Sequence, residues 1–507
     1  MNNNPSPGLL RNPTSPSGRG EESYDVIVVG GGGSGLAAAI EARAAGRDVL
    51  LIEKNPALGG STAWSVGSVT ATQTPHQARK GIVDTPEEHW RDMAGFNGDL
   101  DSRDNPKLRR VLADAMPDTF RWLLSHGVRF YGPMPEPPHN KPRMHNVLPN
   151  SRSFITHLEK AARKAGVKIQ CGARVKTLVS EQDRVTAVDC DTAEGPRRFS
   201  ARGGIVLATG DFTSDPELKA QWMGPQEAKI DGVNVTATGD GQKLALPLGG
   251  RIINGDLALG PELRFVPPQR RNWVLSLPPW PLLANLMAWS LDHMPPALLR
   301  PFVMSFVTTA LAPSPDLFAE GAILINKKGE CFADELEKPA YALPDQPDKA
   351  GYILLDRRMT NLFSGWPHFV STAPGVAYAY VEDYRRNRPD VFNTGATLDE
   401  LASRLSMPAL AASVKAHNAK AGNRPQLGDG PYVALGPVRA VFVHAEGGLA
   451  VDHEHRVLGE GDRPISGLYA AGSTGQGGLL LKGHGHHLGW AFASGRRAGR
   501  NAATNIA

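Results

Sequence analysis

Cysteine is scarce: Cys171, Cys190 and Cys331 are the only three in 507 residues, and they stand far apart. They form no CxxC, no zinc spacing and no CxxCH, which argues against a disulfide scaffold, a metal site and an attached c-type haem. A reducing, cytoplasmic setting is expected. An excess of one charge is also missing. The net charge is +4, from 55 basic and 51 acidic residues. No basic run interleaved with aromatics marks a nucleic-acid partner, so none is expected. Long apolar runs are missing too. Residues 1–22, rich in Pro, Asn, Ser and Gly, contain no run that would serve as a signal peptide and no twin arginine. They read as a disordered tail. The most apolar stretch, 273–312, is cut by prolines. Its longest proline-free runs, 282–294 and 302–312, fall short of the about 20 residues of a spanning helix.

What is present is an α/β pattern in a chain long enough for two cores. Residues 24–29 (YDVIVV) have the composition of a buried parallel strand. Glycines follow, then an Ala-rich helical stretch from Leu36 to Gly46 and a second strand from Asp48 to Glu53. A helix from Phe154 to about Ala165 and the strand VKIQ continue the pattern, followed by hairpin strands and a buried strand at 203–210. The C-terminus repeats it, with a strand at 467–472 and a helix at 487–503. Strands at both ends predict one Rossmann-like domain, a parallel sheet with a small antiparallel sheet, made of 23–257 and 441–507. An α+β cap is inserted at 258–440. Within it, 273–312 reads as buried helices. The alternative is a surface that touches a membrane or gates an apolar substrate.

Gly30, Gly32 and Gly35 complete a GxGxxG that follows a strand and opens a helix, with Glu53 ending the next strand. That context marks a dinucleotide site. Gly30 permits the tight turn, Gly32 lets the backbone approach a pyrophosphate at the helix N-terminus, beside Ser34, and Gly35 allows close helix–strand packing. Glu53 is expected to accept hydrogen bonds from the adenosine ribose.

The continuation Glu53-Lys54 with Leu58-Gly59-Gly60-Ser61-Thr62 resembles that of FAD enzymes. ATGDF (208–212, with Gly210), TGDG (238–241, with Asp240) and GLYAAG (467–472, ending at Gly472) complete the set. GAILINKKGECFADE (321–335) is similar to a segment of the same family's inserted domain. Together these resemble the flavoproteins that include fumarate reductases and 3-ketosteroid dehydrogenases. The resemblance implies non-covalent FAD, with a substrate held between flavin domain and cap. It also implies that the last helix, starting near His486-His487-Leu488, turns its positive end to the flavin.

The two branches imply different substrates. The fumarate-reductase pattern has a histidine where Pro261 stands, an arginine where Lys482 stands, and a histidine kept as His444. Loss of one position and weakening of another argue against a dicarboxylate grip. The ketosteroid pattern keeps its glycine at Gly485 but has Leu481 in place of a tyrosine. With an apolar cap, the expected function is FAD-dependent introduction of an α,β double bond into a ketone-like, alicyclic or steroid-like substrate. The alternative is reduction of an unsaturated carboxylate, and the electron acceptor is unidentified. Gly485 and Lys482 are expected to hold an enolate oxygen, and Tyr378, Tyr380 or His444 to act as base. His139, Arg143 and His145 are expected to support the flavin loop. His484, His486 and His487 form an HGHH cluster that, without further ligands, is not expected to bind metal.

Overall fold

Strand Glu22–Val29 is buried on both faces because parallel neighbours cover its edges and helices cover its faces. It pairs with Val49–Glu53 on one side (Val26 opposite Val49) and Gly195–Leu207 on the other (Ile27 opposite Ile205). The computed structural model that shows this describes residues 22–268, 276–373, 377–420, 422 and 424–504. The expected N-terminal tail lies outside the described residues, apart from Glu22.

The first sheet has eight strands. Its order is Arg456–Leu458, Pro464–Ala470, Arg184–Thr192, Gly195–Leu207, Glu22–Val29, Val49–Glu53 and Lys168–Cys171, with Arg174–Glu181 paired to Arg184–Thr192. The strand predicted at 203–210 starts earlier, at Gly195. Residues before the parallel stretch belong to an antiparallel hairpin with Arg184–Thr192, and the chain runs straight through. Helix Gly33–Ala44 likewise starts in the glycine turn itself. It packs against the last helix, His486–Thr504, and both are largely buried.

A second sheet of six strands is centred on Tyr432–Phe442. Asp231–Gly232, Glu262–Phe265, Gly351–Leu355 and Phe392–Gly395 all pair with that strand, and Ile323–Asn326 pairs with Gly351–Leu355. Its apolar core, including Ile353, Leu355, Phe363, Tyr384 and Leu435, is separate from that of the first sheet. Two of the places where the chain crosses between the sheets lie together. Outgoing Ile252–Ile253 pairs with returning Gly448–Leu449, and outgoing Ala258–Leu259 with returning His444–Ala445. This double crossing positions the site described below.

The apolar stretch does not follow its expected course. Pro281–His293 and Pro296–Ala310 are helices, but Ala284 is the sole side chain described as buried in the first. Leu282 is 82% exposed, Leu286 58% and Trp289 54%. The buried-helix reading therefore fails for Pro281–His293, which touches the protein along one side only, against the hairpin strands Arg129–Met134 and Met144–Leu148. It holds in part for the second helix, where Met304, Val307 and Thr308 are buried. Residues 273–275 lie outside the described residues. No helix among the described residues is long and apolar enough to cross a membrane.

Exposure makes a direct prediction. Leu286→Asp should fold normally and shift unfolding free energy by less than about 1 kcal/mol, whereas Val307→Asp should cost more than about 3 kcal/mol by stranding a carboxylate in the core. Thermal unfolding of both variants measures the difference; equal losses would contradict the open face.

Candidate active site

The nucleotide loop is built by backbone constraints. Gly30 sits at φ +111°, a conformation that favours glycine. A Cβ on Gly35 would lie 1.8 Å from the Gly30 carbonyl oxygen, so the helix enters this close only without a side chain there. A Cβ on Gly32, by contrast, would meet no protein atom nearer than 3.8 Å. The open space there belongs to a cavity lined by the glycine loop.

That cavity gathers most of the residues expected to hold a cofactor. Gly30, Gly32, Ser34, Glu53, Lys54, Gly60, Ser61, Thr62, Gly210, Asp240 and Gly472 all line it. Gly35 does not; it packs behind the loop. Glu53 Oε2 accepts the Gly31 N–H at 2.7 Å, and Oε1 accepts the Asn55 backbone N–H at 2.8 Å. Thr62 Oγ1 accepts the Gly33 N–H at 3.1 Å. Glu53 thus braces the loop as well as facing the cavity, and a carboxylate has lone pairs left for a ribose. Lys54 Nζ donates to Asp240 Oδ2 at 2.8 Å, and Arg174 donates to Oδ1 at 2.7 Å. Burial works against the Asp240 charge, but these two cations more than offset it and hold the carboxyl below its usual range. Thr209 of ATGDF also lines the cavity, as do Arg174 and Asn234, which no sequence motif singled out. The loop at a helix N-terminus and the open face at Gly32 fit a dinucleotide. Bound FAD would be held by these residues and would supply the hydride-accepting group.

Beside the double crossing lies a buried polar group. His444 and Glu446 come from the returning segment, Asp211 from the end of ATGDF, Gln476 from the glycine run and His487 from the last helix. His444 Nδ1 is 3.0 Å from Asp211 Oδ2, and its Nε2 is 3.1 Å from Gln476 Oε1. Gln476 Nε2 donates to Glu446. His487 Nε2 is 3.4 Å from Glu446 Oε1, and its ring lies edge-on to His444 at 4.0 Å. Burial pulls the His444 pKa down, yet the Asp211 hydrogen bond and the charges of Asp211 and Glu446 prevail and push it up to about 9. Against the burial penalty, His487 and His444 pull Glu446 down to about 2. Burial, then the positive charge of His444, holds His487 below its usual value, against the pull of Glu446.

This corrects the expected role of His444. Both of its ring nitrogens donate to protein acceptors, so it has no lone pair with which to act as base; it is a held cation. Asp211 lies inside ATGDF, Glu446 two residues after His444 and Gln476 within the glycine run, but none of the three was read as a site residue. Tyr378 and Tyr380 do not join the group either. Tyr378 packs on Trp366 and Phe369, and Tyr380 caps the helix Val381–Asn387 beneath Arg300. Their partners all belong to the second-sheet region.

The HGHH cluster splits in three directions. His484 pairs with Glu136 at 2.5 Å, which raises its pKa. His487 faces His444 and Glu446. His486 is buried against His89 and His139. Leu488 is half-buried in the first turn of the last helix. Gly485 is at φ +89°, and a Cβ there would lie 2.6 Å from Thr70 N of strand Ser68–Thr70. Lys482 is half-buried, and its ammonium has no partner among the described residues. Arg143 is fully buried against Asp84 at 2.7 Å, and His145 contacts Thr74 at 3.1 Å. These contacts brace the loops around strand Ser68–Thr70.

Two predictions follow from this geometry. Gly32→Val should give folded, colourless protein, read by flavin absorbance; acid or heat should release FAD intact from wild type. The His444 pKa rises from 6.5 to about 9 on folding, so its contribution is complete below pH 6.5 and is lost as pH climbs through 9. It amounts to at most about 3 kcal/mol. His444→Gln should flatten the fall in denaturation midpoint over that window.

Comparison with known proteins adds the family. The family described as FAD binding domain matches residues 25–270 and 284–480. The NADH:fumarate oxidoreductase of Klebsiella pneumoniae (strain 342) is 25% identical over 89% of this chain, which spans 44% of that protein's length. The probable fumarate reductase Ifc3 of Shewanella frigidimarina (strain NCIMB 400) is 27% identical over 95% of this chain and 75% of its own. Among solved structures, the open conformation of a flavocytochrome c3 fumarate reductase matches with TM-score 0.71 at 24% identity, covering 96% of this chain and 79% of that one. A 3-ketosteroid-delta4-(5alpha)-dehydrogenase from Rhodococcus jostii RHA1 matches with TM-score 0.59 at 23% identity, covering 96% of this chain and 98% of that one. With its nucleotide loop, lined cavity and matched length, the chain belongs to the FAD binding domain family of flavin-dependent oxidoreductases.

Proposed function

We propose that this flavoenzyme dehydrogenates a neutral, carbonyl-bearing substrate at its α,β carbons, an apolar ketone of alicyclic or steroid-like type. The charge balance of the His444 group carries this reading. Two buried carboxylates, Asp211 and Glu446, face one imidazolium, His444, while His487 is neutral. The group is net negative, so it repels a carboxylate substrate and tolerates a ketone. If His444 stands where fumarate reductases grip a carboxylate, as the resemblance implies, its charge is already countered here by Asp211 and Glu446.

In this reading Gly485 N–H and Lys482 stabilise the enolate oxygen while the α-proton leaves. The base must be unprotonated at neutral pH, and His487 is the one imidazole of the group in that state. Glu446, beside it, would stabilise the imidazolium formed. The open apolar helix Pro281–His293 suits an apolar substrate. A second reading, reduction of an unsaturated acid by an identified or unidentified electron donor, is supported by the unpaired half-buried Lys482 and by the reductase names of the curated relatives.

Lys482→Met separates the two. As an enolate donor its loss should lower kcat about 100- to 1000-fold with little change in KM. As a ground-state anchor for a carboxylate, KM should rise with kcat unchanged. Anaerobic mixing gives an independent check: saturated cyclic ketones should bleach the flavin. Bleaching by none of them, with reoxidation of the pre-reduced protein by enoates, would transfer the assignment to the second reading.

A further inference from the structure

We propose that His89, His139 and His486 form a binding site for a divalent transition ion of zinc's class, with Glu136 supplying the compensating charge. The proposal is independent of the substrate reading. The three histidines come from distant segments: helix Pro86–Ala94, the loop before strand Met144–Leu148, and the first residue of the last helix. One ring nitrogen of each lies within 4.8 Å of those of the other two, and all three are buried.

The spacing suits an ion better than a hydrogen bond. His89 Nε2 and His486 Nε2 are 3.4 Å apart, long for a nitrogen donor–acceptor contact. Two imidazoles each about 2.0–2.1 Å from a tetrahedral centre would have their nitrogens about 3.4 Å apart. His486 Nδ1 donates to the Lys482 carbonyl at 2.6 Å, which leaves its Nε2 as the lone-pair nitrogen, the usual outer support of a metal-bound histidine. His139 Nε2 and Glu136 Oε2 are buried atoms with no hydrogen-bond partner among the described residues, a rare state that calls for a ligand.

The electrostatics agree. Burial, with the nearby positive charge of Arg143 adding to it, holds His89 well below its usual pKa, His139 at about 2 and His486 at about 4. All three are therefore neutral, the form that ligates. The Glu136 charge acts on His486. His139 Nδ1 now accepts from Arg143 at 3.0 Å, with Asp92 Oδ2 3.9 Å away. Ligation through Nε2 puts a proton on Nδ1, which then faces Asp92, while Arg143 keeps Asp84 and Asp92 as acceptors. The other close set, His444, Glu446 and His487, is unsuited because His444 is a cation with both nitrogens donated. An ion at His486 would tie the start of the last helix to two other segments and so stiffen the flavin side of the fold.

The test uses FAD-loaded protein purified without chelator. Elemental analysis should find about one zinc-class ion per chain. After stripping, Co2+ should give the intense visible bands of a tetrahedral site, red of the flavin, and Zn2+ should abolish them. His89→Ala and His139→Asn should each lose the bands and weaken zinc binding by at least about 100-fold while retaining FAD; His484→Ala should retain both. Wild-type protein with less than about a tenth of an ion per chain and no tetrahedral cobalt spectrum would overturn the proposal whatever the variants do, as would bands that persist in folded His89→Ala protein.

Discussion

The close packing of the last helix on the first is the contact on which the site depends. Gly495 and Gly499 of His486–Thr504 run against the backbone of Gly33–Ala44: a Cβ on either would lie 2.3 Å from Ser34 O or 2.1 Å from Ala38 O. Two helices that touch backbone to backbone have one register, because any larger side chain would force them apart. That register brings Gly472, held by Ser494 at 2.8 Å, to the nucleotide cavity. It also sets His486 and His487 at the helix's positive end, next to segments more than 300 residues earlier in the chain.

Around that frame the protein places charge where water is excluded. Asp211, His444, Gln476 and Glu446 hydrogen-bond one another, so each of these buried polar groups has a partner. In the proposed reading their balance has a functional side: a buried group with one surplus negative charge would disfavour an anion, because little screens it. The fumarate-reductase resemblance implies a carboxylate-gripping histidine at His444, and in this fold Asp211 already occupies its Nδ1. Identity of a residue at a motif position therefore says less about substrate charge than its neighbours do.

The helix Pro281–His293 shows the opposite case. Its composition suits a core, yet it lies on the outside with its tryptophans and leucines in the open. Prolines at both its ends keep it short, and one side alone meets the protein. Apolar character sets what a segment would prefer to touch, while chain geometry sets what it can reach.

Local constraints were legible in the amino-acid order. Gly30 and Gly35 meet within one turn, Glu53 ends the adjacent strand, and the alternation of β-branched runs with Ala-rich helices dictates the parallel sheet; each of these depends on neighbours a few residues away or on a periodicity. The charge on His444, the loss of its lone pairs, the exposure of Leu286 and the three-way division of His484, His486 and His487 were not legible. A pKa depends on the groups within a few ångströms, and Asp211, more than 200 residues earlier, reaches His444 only through the tertiary fold. The HGHH run likewise reads as one cluster, but the turn at Gly485 and the first helical turn send its rings to Glu136, to His89 with His139, and to Glu446. Sequence alone determined the cofactor loop and fold class, because these rest on short-range sterics and periodicity. The tertiary structure alone decided which imidazoles are charged and what each one faces, because electrostatic environment is a property of distance in space.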